Sequence, residues 1–314
     1  MNISVYKTLL RRELWEHKAS VFWTPIGMSG FLLILAIILM IKAAFFYGDS
    51  GKLIRFNGNE QQTIAQTLEL QAKKPIEARV SESEVVFAVS KAIFDGVVLL
   101  LAFYYLLTCM YDERKDRSIY FWRSMPVSDW QTTFSKLGLV AIVLPVIALA
   151  SLVLLHIAVR VIFSIGLWSF GASAWAILWE PSYFILTAIP LALLNYALAF
   201  LWAMPVVGAL MFLGATTNRP LVYMILGPAA IMLTEELIFD SSRFANWLGE
   251  RLTGVGMILW GDIKDFAERQ PDFPTISFSQ GAELLANEQF WIGLVVGMAF
   301  IYGAVYARKR LQEA

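Results

Sequence analysis

The sequence predicts an all-α integral membrane protein with six transmembrane helices, and three observations carry that expectation. Hydrophobic residues fill 58% of the 314 positions and charged residues only 16%, with a mean hydropathy of +0.61, far from the balance of a soluble domain. The charges are gathered into short blocks separated by long uncharged runs, the pattern of loops and spans. Six of those runs are long enough for an α-helix to cross a hydrocarbon layer of about 30 Å. The whole chain, 1–314, is read as one transmembrane domain.

Residues 1–20 place Ile3, Tyr6, Leu10 and Leu14 at helical spacing, with Lys7, Arg11, Arg12 and Lys18 around them. One reading is an amphipathic elbow helix along the membrane face, and the other a charged flank anchoring the first span. Charge persists through position 18 and a long span follows, unlike the short apolar region of a removable signal peptide, so the first span is expected to be retained.

The spans are expected near 22–46, 93–110, 137–163, 181–213, 221–238 and 290–307. The fourth run, 33 residues, would make a helix of roughly 50 Å, too long for one upright crossing and too short for two. It is read as one tilted helix, bent at Pro190 or Pro205. Six crossings put both termini on one side. That side holds thirteen Lys and Arg in short segments, against ten spread over nearly twice the length on the other, so it is expected to be cytoplasmic. Residues 47–92 and 239–289 then form two external segments, with small helical caps as one arrangement open to them.

The cytoplasmic loop 111–136 carries the most information. A charged stretch runs into Ile119, Tyr120, Phe121 and Trp122 beside Arg123; Pro126 then breaks the backbone before Ser128 or Asp129 caps a new helix. Aromatics beside charges on a short helix parallel to the membrane make a docking surface for a cytoplasmic partner.

In this loop Glu113-Arg114-x-Asp116-Arg117-Ser118-Ile119-x-Phe121-Trp122-x-Ser124-x-Pro126-Val127-Ser128-Asp129, followed by Thr132 or Thr133 and Ser135-Lys136, resembles the coupling-helix region of type-2 ABC exporter permease subunits. The layout from Pro205 through Glu236, the basic tail (Arg308, Lys309, Arg310) and the span count are similar to that family too. The resemblance implies a half-transporter membrane domain in a bacterial-type inner membrane. It implies a second permease subunit, identical or different, and separate ATP-binding subunits that carry ATP and Mg. The residues receiving the ATPase would be Glu113, Arg114, Asp116, Arg117, Ser118, Ile119, Phe121, Trp122, Arg123, Pro126, Ser128 and Asp129, helped by Tyr6, Leu10, Arg11 and Arg12 of the elbow. No cofactor is expected on this chain. Its nearest phosphate-loop string, Gly48-Asp-Ser-Gly51-Lys52-Leu53, has two intervening residues instead of four and no terminal Ser or Thr.

Polar residues inside spans are the candidates for a translocation path. Asn195 and Tyr196 sit near mid-membrane and either line a route or bond between helices. Glu235 and Glu236 point about 100° apart, so at most one faces a pathway; interfacial exposure, pairing and substrate contact are the three roles open to them. Lys42, Asp95, Arg160 and Glu180 fall near external span ends and are expected to snorkel. His156 reads as a satisfied structural group, and with only His17 elsewhere no metal site is expected. Cys109, alone, excludes an internal disulfide and reads as a packed thiol. Gly293 and Gly297 read as a close-packing face. A pI of 6.8 gives no sign of a nucleic-acid partner.

Three other functions compete. Glu235-Glu236 resembles the paired glutamates of intramembrane prenyl-protein peptidases, but that string wants Arg where Asp240 stands, and histidines that are absent downstream. An ion-coupled carrier would show repeats or matching broken spans, and none is seen. A non-transporting receptor or assembly protein would use the same docking loop without passing a solute.

Overall fold

The computed structural model describes residues 3–47, 54–56, 60–62, 64–117, 126–260 and 278–310. Helix α1 (Ile3–Glu16) joins α2 (Thr24–Tyr47) through a π-helical turn, Ala19–Trp23. A small antiparallel ribbon, Ile54–Phe56 with Glu60–Gln62, precedes α3 (Ile64–Lys73) and α4 (Ile76–Lys115). Helix α5 (Asp129–Gly138) passes through a second π turn into α6 (Leu144–Ser169). After π and 3-10 turns over 175–184 come α7 (Ile185–Trp202), α8 (Met204–Thr216), α9 (Pro220–Phe239) and α10 (Arg243–Trp260). Helices α11 (Phe278–Ala286) and α12 (Glu288–Arg310) follow.

Among the described residues six helical runs are long and apolar enough to cross a membrane: Ala19–Lys42, Ile76–Lys115, Asp129–Ser169, Trp175–Trp202, Pro220–Phe239 and Glu288–Arg310. Each overlaps one of the six expected runs, but the fourth, expected as one helix over 181–213, ends at Trp202 and Met204–Thr216 is a separate short helix. Apart from the ribbon, the described residues are thus all-helical, with six helices fit to span a membrane, as in an integral membrane protein.

Local chemistry explains where the helices start and bend. At α5 the cap is Ser128: its Oγ accepts from the Gln131 N–H at 3.2 Å while Gln131 Oε1 accepts from the Ser128 N–H at 2.9 Å, a capping box. Asp129 is the first helical residue. In the fourth run the helix stays continuous through Pro190 and breaks at Ala203, two residues before Pro205. Proline's missing N–H and its clash with the preceding turn are tolerated at a helix start, so the chain restarts there.

Two expectations about the external segments change. Residues 76–92 belong to α4, a rod of roughly 60 Å that outruns a bilayer. Residues 243–260, expected outside the bundle, form α10, which packs along α7 and buries Arg251, Ile258 and Leu259.

The core lies where α8 is sandwiched between α4 and α12. A Cβ on Gly208 would stand 2.4 Å from the Gly297 carbonyl oxygen, one on Gly297 2.4 Å from that of Met204, and one on Gly214 2.6 Å from that of Leu107. The three helices meet backbone to backbone because these positions carry no side chain. By contrast α9 buries only Pro220.

Helix α9 ends at Asp240, which adopts a left-handed conformation at φ 46°. That geometry favours glycine. Asp240→Gly is expected to raise stability by about 0.5–1 kcal/mol, read as a small upward Tm shift in detergent; an unchanged or lower Tm would mean that the aspartate side chain stabilises the turn.

Candidate functional site

The residues that the loop 111–136 leaves at its two ends converge on one buried ion cluster. Glu13 comes from α1, Glu113 from the end of α4, Asp129 and Lys136 from α5 and Arg308 from the last turn of α12. Lys136 Nζ lies 3.2 Å from both Glu13 oxygens and 3.0 Å from Glu113 Oε1. Arg308 donates to Glu113 Oε2 at 2.5 Å and to Asp129 Oδ1 at 2.9 Å. Arg12 pairs with Glu13 and lies 3.4 Å from Glu113, and the Tyr105 hydroxyl donates to Glu13 at 2.8 Å.

Glu13 is wholly buried, Lys136 1% exposed and Arg308 4% exposed, so each charge would be costly without its partners. Three carboxylates, Glu13, Glu113 and Asp129, face three cations, Arg12, Lys136 and Arg308. Burial pushes the Glu13 carboxyl up, but Lys136 and then Arg12 outweigh it and hold it below the ordinary carboxyl value. His17, half-buried beside Tyr105, is pushed down by burial. Glu13, Glu16 and His17 bring three ligand-type atoms within 4.8 Å, but Glu13 is already committed to Lys136 and Arg12, and Arg12 also reaches Glu16 at 3.4 Å.

The cluster places both ends of the loop, helix α1 and the end of α12 at one end of the bundle. Arg114 adds the turn between the fourth and fifth runs by donating to the Thr217 carbonyl. The expected docking residues therefore divide. Glu113, Asp129 and Arg12, expected to meet a partner, point inward and tie helices together, because a carboxylate or guanidinium buried there has matching charges within reach. Leu10 packs over Gly138 and Tyr6 is half-buried. Arg11, Asp116, Arg117, Pro126 and Ser128 are exposed, and a shallow groove of about 400 Å³ runs between α1 and Pro126-Val127. Ser118, Ile119, Phe121, Trp122 and Arg123 lie outside the described residues.

Lys42, Asp95, Arg160 and Glu180 were expected to snorkel, and the structure corrects this for Asp95 and Arg160. Asp95 is fully buried: Lys91, 3% exposed, pairs with it at 2.6 Å and also donates to the Leu259 carbonyl at 3.2 Å, while Tyr196 donates to its other oxygen. Arg160, 7% exposed, bonds the Leu178 carbonyl and Ser83 Oγ, each at 3.2 Å. Glu180 is exposed, as expected, and pairs with Arg79 at 2.7 Å. Lys42 is exposed. His156 lies 2.7 Å from Ser90 Oγ and 3.3 Å from Arg160.

The four pathway candidates fall in two places. Tyr196 joins the Lys91–Asp95 pair, and its neighbour Asn195 is fully buried with both amide atoms unpartnered among the described residues. Glu235 accepts from the Phe244 N–H at 2.9 Å and from Ser241 Oγ at 3.0 Å, so it caps the start of α10, and Glu236 is exposed. Sequence reasoning missed Glu13, Lys91 and Arg251, and named Lys136 only within the coupling-helix likeness. Only Lys91–Asp95 carried a local signal, opposite charges four residues apart on one helix.

No protein-family model, curated protein or solved structure matches the chain. The class defined by fold and composition is a six-span helical membrane protein with an ion-paired hub at one end of its bundle.

Proposed function

We propose that this chain is the membrane-spanning permease subunit of an ATP-driven exporter of the type-2 ABC kind, with both termini and the loop 111–136 in the cytoplasm of a bacterial-type cell. ATP and Mg belong to separate ATP-binding subunits, and a second permease subunit completes the pathway. The observation that carries this reading is the hub. Both stems of the loop are clamped by buried ion pairs to α1 and α12, so a push on the loop tip is passed to four helices together. A loosely tethered loop would absorb the same push as local bending. The likeness of residues 113–136 to a coupling helix supplies the partner's identity, and the exposed Asp116, Arg117 and Pro126 flank the tip it would grip.

The test is co-expression with a candidate ATPase, followed by Trp122→Ala and Arg123→Ala. Both are expected to cut co-purification and coupled ATP hydrolysis about tenfold, the loss for anchor residues at an interface centre. Undiminished co-purification and activity would refute the docking role. Sidedness has its own readout, because Cys109 is buried: a cysteine placed at Ser128 is expected to resist a membrane-impermeant thiol reagent in intact cells and to react in inverted vesicles.

A further inference from the structure

Helix α1 turns its apolar side to protein. Leu9 is buried, Leu10 packs over Gly138 and Leu14 lies on the core, while Glu13 reaches Lys136 of α5 and the Tyr105 hydroxyl of α4. What α1 turns outward is Ser4, Lys7, Thr8, Arg11, Trp15 and, just past its end, Lys18, all exposed. At about 3.6 residues per turn, Lys7, Arg11 and Lys18 fall within about 40° of one another, and the backbone is still helical at Lys18, with φ −55° and ψ −32°. The three cations form one rail of roughly 16 Å.

The rail has one sign. Among the described residues no carboxylate pairs with Lys7, Arg11 or Lys18. The acid nearest in sequence, Glu16, lies about 100° round from Trp15 and is held by Arg12 at 3.4 Å. Trp15, 60% exposed, stands beside the rail with the Lys18 ammonium 5.6 Å from its ring. Phe22 and Trp23 continue the exposed aromatics into the first span. Like charges a turn apart repel, so the row is destabilising unless something negative covers it.

Its placement says what that is. Helix α5 touches α12 with its first turn, where the Trp130 ring is 6.0 Å from that of Tyr302 and Asp129 is 2.9 Å from Arg308. It touches α4 with its last turn, where Lys136 meets Glu113 at 3.0 Å. Helix α5 therefore lies across the end of the bundle, and α1 runs alongside it, from Pro126-Val127 near its start to Lys136 at Glu13. One flank of α1 carries Leu10 towards Gly138, where the chain enters the third span. The opposite flank carries Arg12 towards Pro126. Between them the rail looks sideways, at the level where the first span begins. In a membrane that level is the headgroup layer, where tryptophan is enriched and the stems of lysine and arginine lie along apolar chains.

We propose that this rail binds anionic phospholipid headgroups of the leaflet it adjoins, with Lys7, Arg11 and Lys18 taking phosphate oxygens and Trp15 setting the depth. A helix lying apolar side down in lipid responds to the packing of acyl chains; one whose apolar side is spent on protein and whose cations face sideways responds to headgroup charge. The rail needs no ATPase, so its failure would leave the proposed function standing.

The test uses the full chain in non-ionic detergent, stripped of lipid and offered equal amounts of phosphatidylglycerol and phosphatidylcholine, with the retained lipid counted by native mass spectrometry. Phosphatidylglycerol is expected to be preferred at about 0.1 M salt and the preference to collapse at about 1 M, as the screening length falls from ~10 Å to ~3 Å. Lys7→Gln, Arg11→Gln and Lys18→Gln are each expected to cut the preference about fivefold, and the triple variant to erase it. These side chains are exposed, so the variants are expected to keep the native Tm. Lys42→Gln, which removes an exposed cation towards the other end of the first span, is expected to keep the preference. Equal retention of the two lipids by the native chain, or a preference unchanged in the triple variant, would overturn the proposal. A triple variant that keeps the lipid preference but no longer co-purifies with the ATPase would overturn it in favour of an acidic protein surface.

Discussion

Gly297→Leu is expected to leave little folded protein, and Gly297→Ala to lower stability by about 3 kcal/mol, the upper range for overpacking a filled core. A Cβ at this position meets the backbone of Met204, with the carbonyl oxygen at 2.4 Å and the carbonyl carbon at 2.5 Å. Backbone cannot turn aside as a side-chain tip can. Helices α8 and α12 would have to part, and Gly208, whose own Cβ direction faces the Gly297 carbonyl, would lose the contact as well. The control is Gly30→Ala on α2, where nothing lies within 4 Å; there alanine's better helix propensity is expected to be neutral or to add up to ~1 kcal/mol. Thermal unfolding in one detergent separates the two: a Gly297→Ala Tm equal to that of Gly30→Ala would show that the close crossing is not what holds the bundle.

Lys136→Met is expected to cost about 3–5 kcal/mol, the penalty for stranding buried charge, and to reverse the protein's response to acid. In the native hub Glu13 titrates below the ordinary carboxyl value. Its contribution is therefore present above that value and lost as pH falls through the depressed one. Without Lys136, burial, which outweighs Arg12, and the Glu113 charge, which outweighs the Tyr105 hydrogen bond, both raise Glu13. The Glu13 carboxyl then rises above its unfolded value, and the variant is most stable in acid, losing stability as pH climbs. Unfolding at pH 5 and pH 7.5 distinguishes the cases: the native protein is expected to hold or gain Tm at the higher pH, and Lys136→Met to lose it. Glu13→Gln added to Lys136→Met is expected to recover a large part of the loss, since the two sites share one interaction. Parallel pH curves for native and variant chains would mean that Glu13 and Lys136 do not form the pair described.

The spans and their number among the described residues were open to the sequence, because lipid demands long uncharged helices and leaves charge only at their ends. Pro205 was one of two proposed bends, and the break at Ala203 settles the choice. The cap at Ser128 was one of two candidates for a similar reason: Gln131, three residues on, completes a box that Asp129 cannot. These are local matters, settled within a turn or two of helix.

Glu13, Glu113, Lys136 and Arg308 were not open to it in the same way. Glu13 drew no reading of its own, and Lys136 and Arg308 counted only among the basic charges at span ends. Glu113 and Asp129 even looked like contacts for a partner. Asp95 was assigned to the interface for lying near a span end, although Lys91 stood four residues before it. What the sequence by itself determined is the solvent of each segment, since hydropathy and charge spacing act along the chain. Which charges face inward, which glycines touch and which donors are left without acceptors was decided only by the tertiary structure. Most of those relations join residues about 90 to 200 positions apart, and pairing at that range follows from how the helices pack, which no single stretch of sequence records.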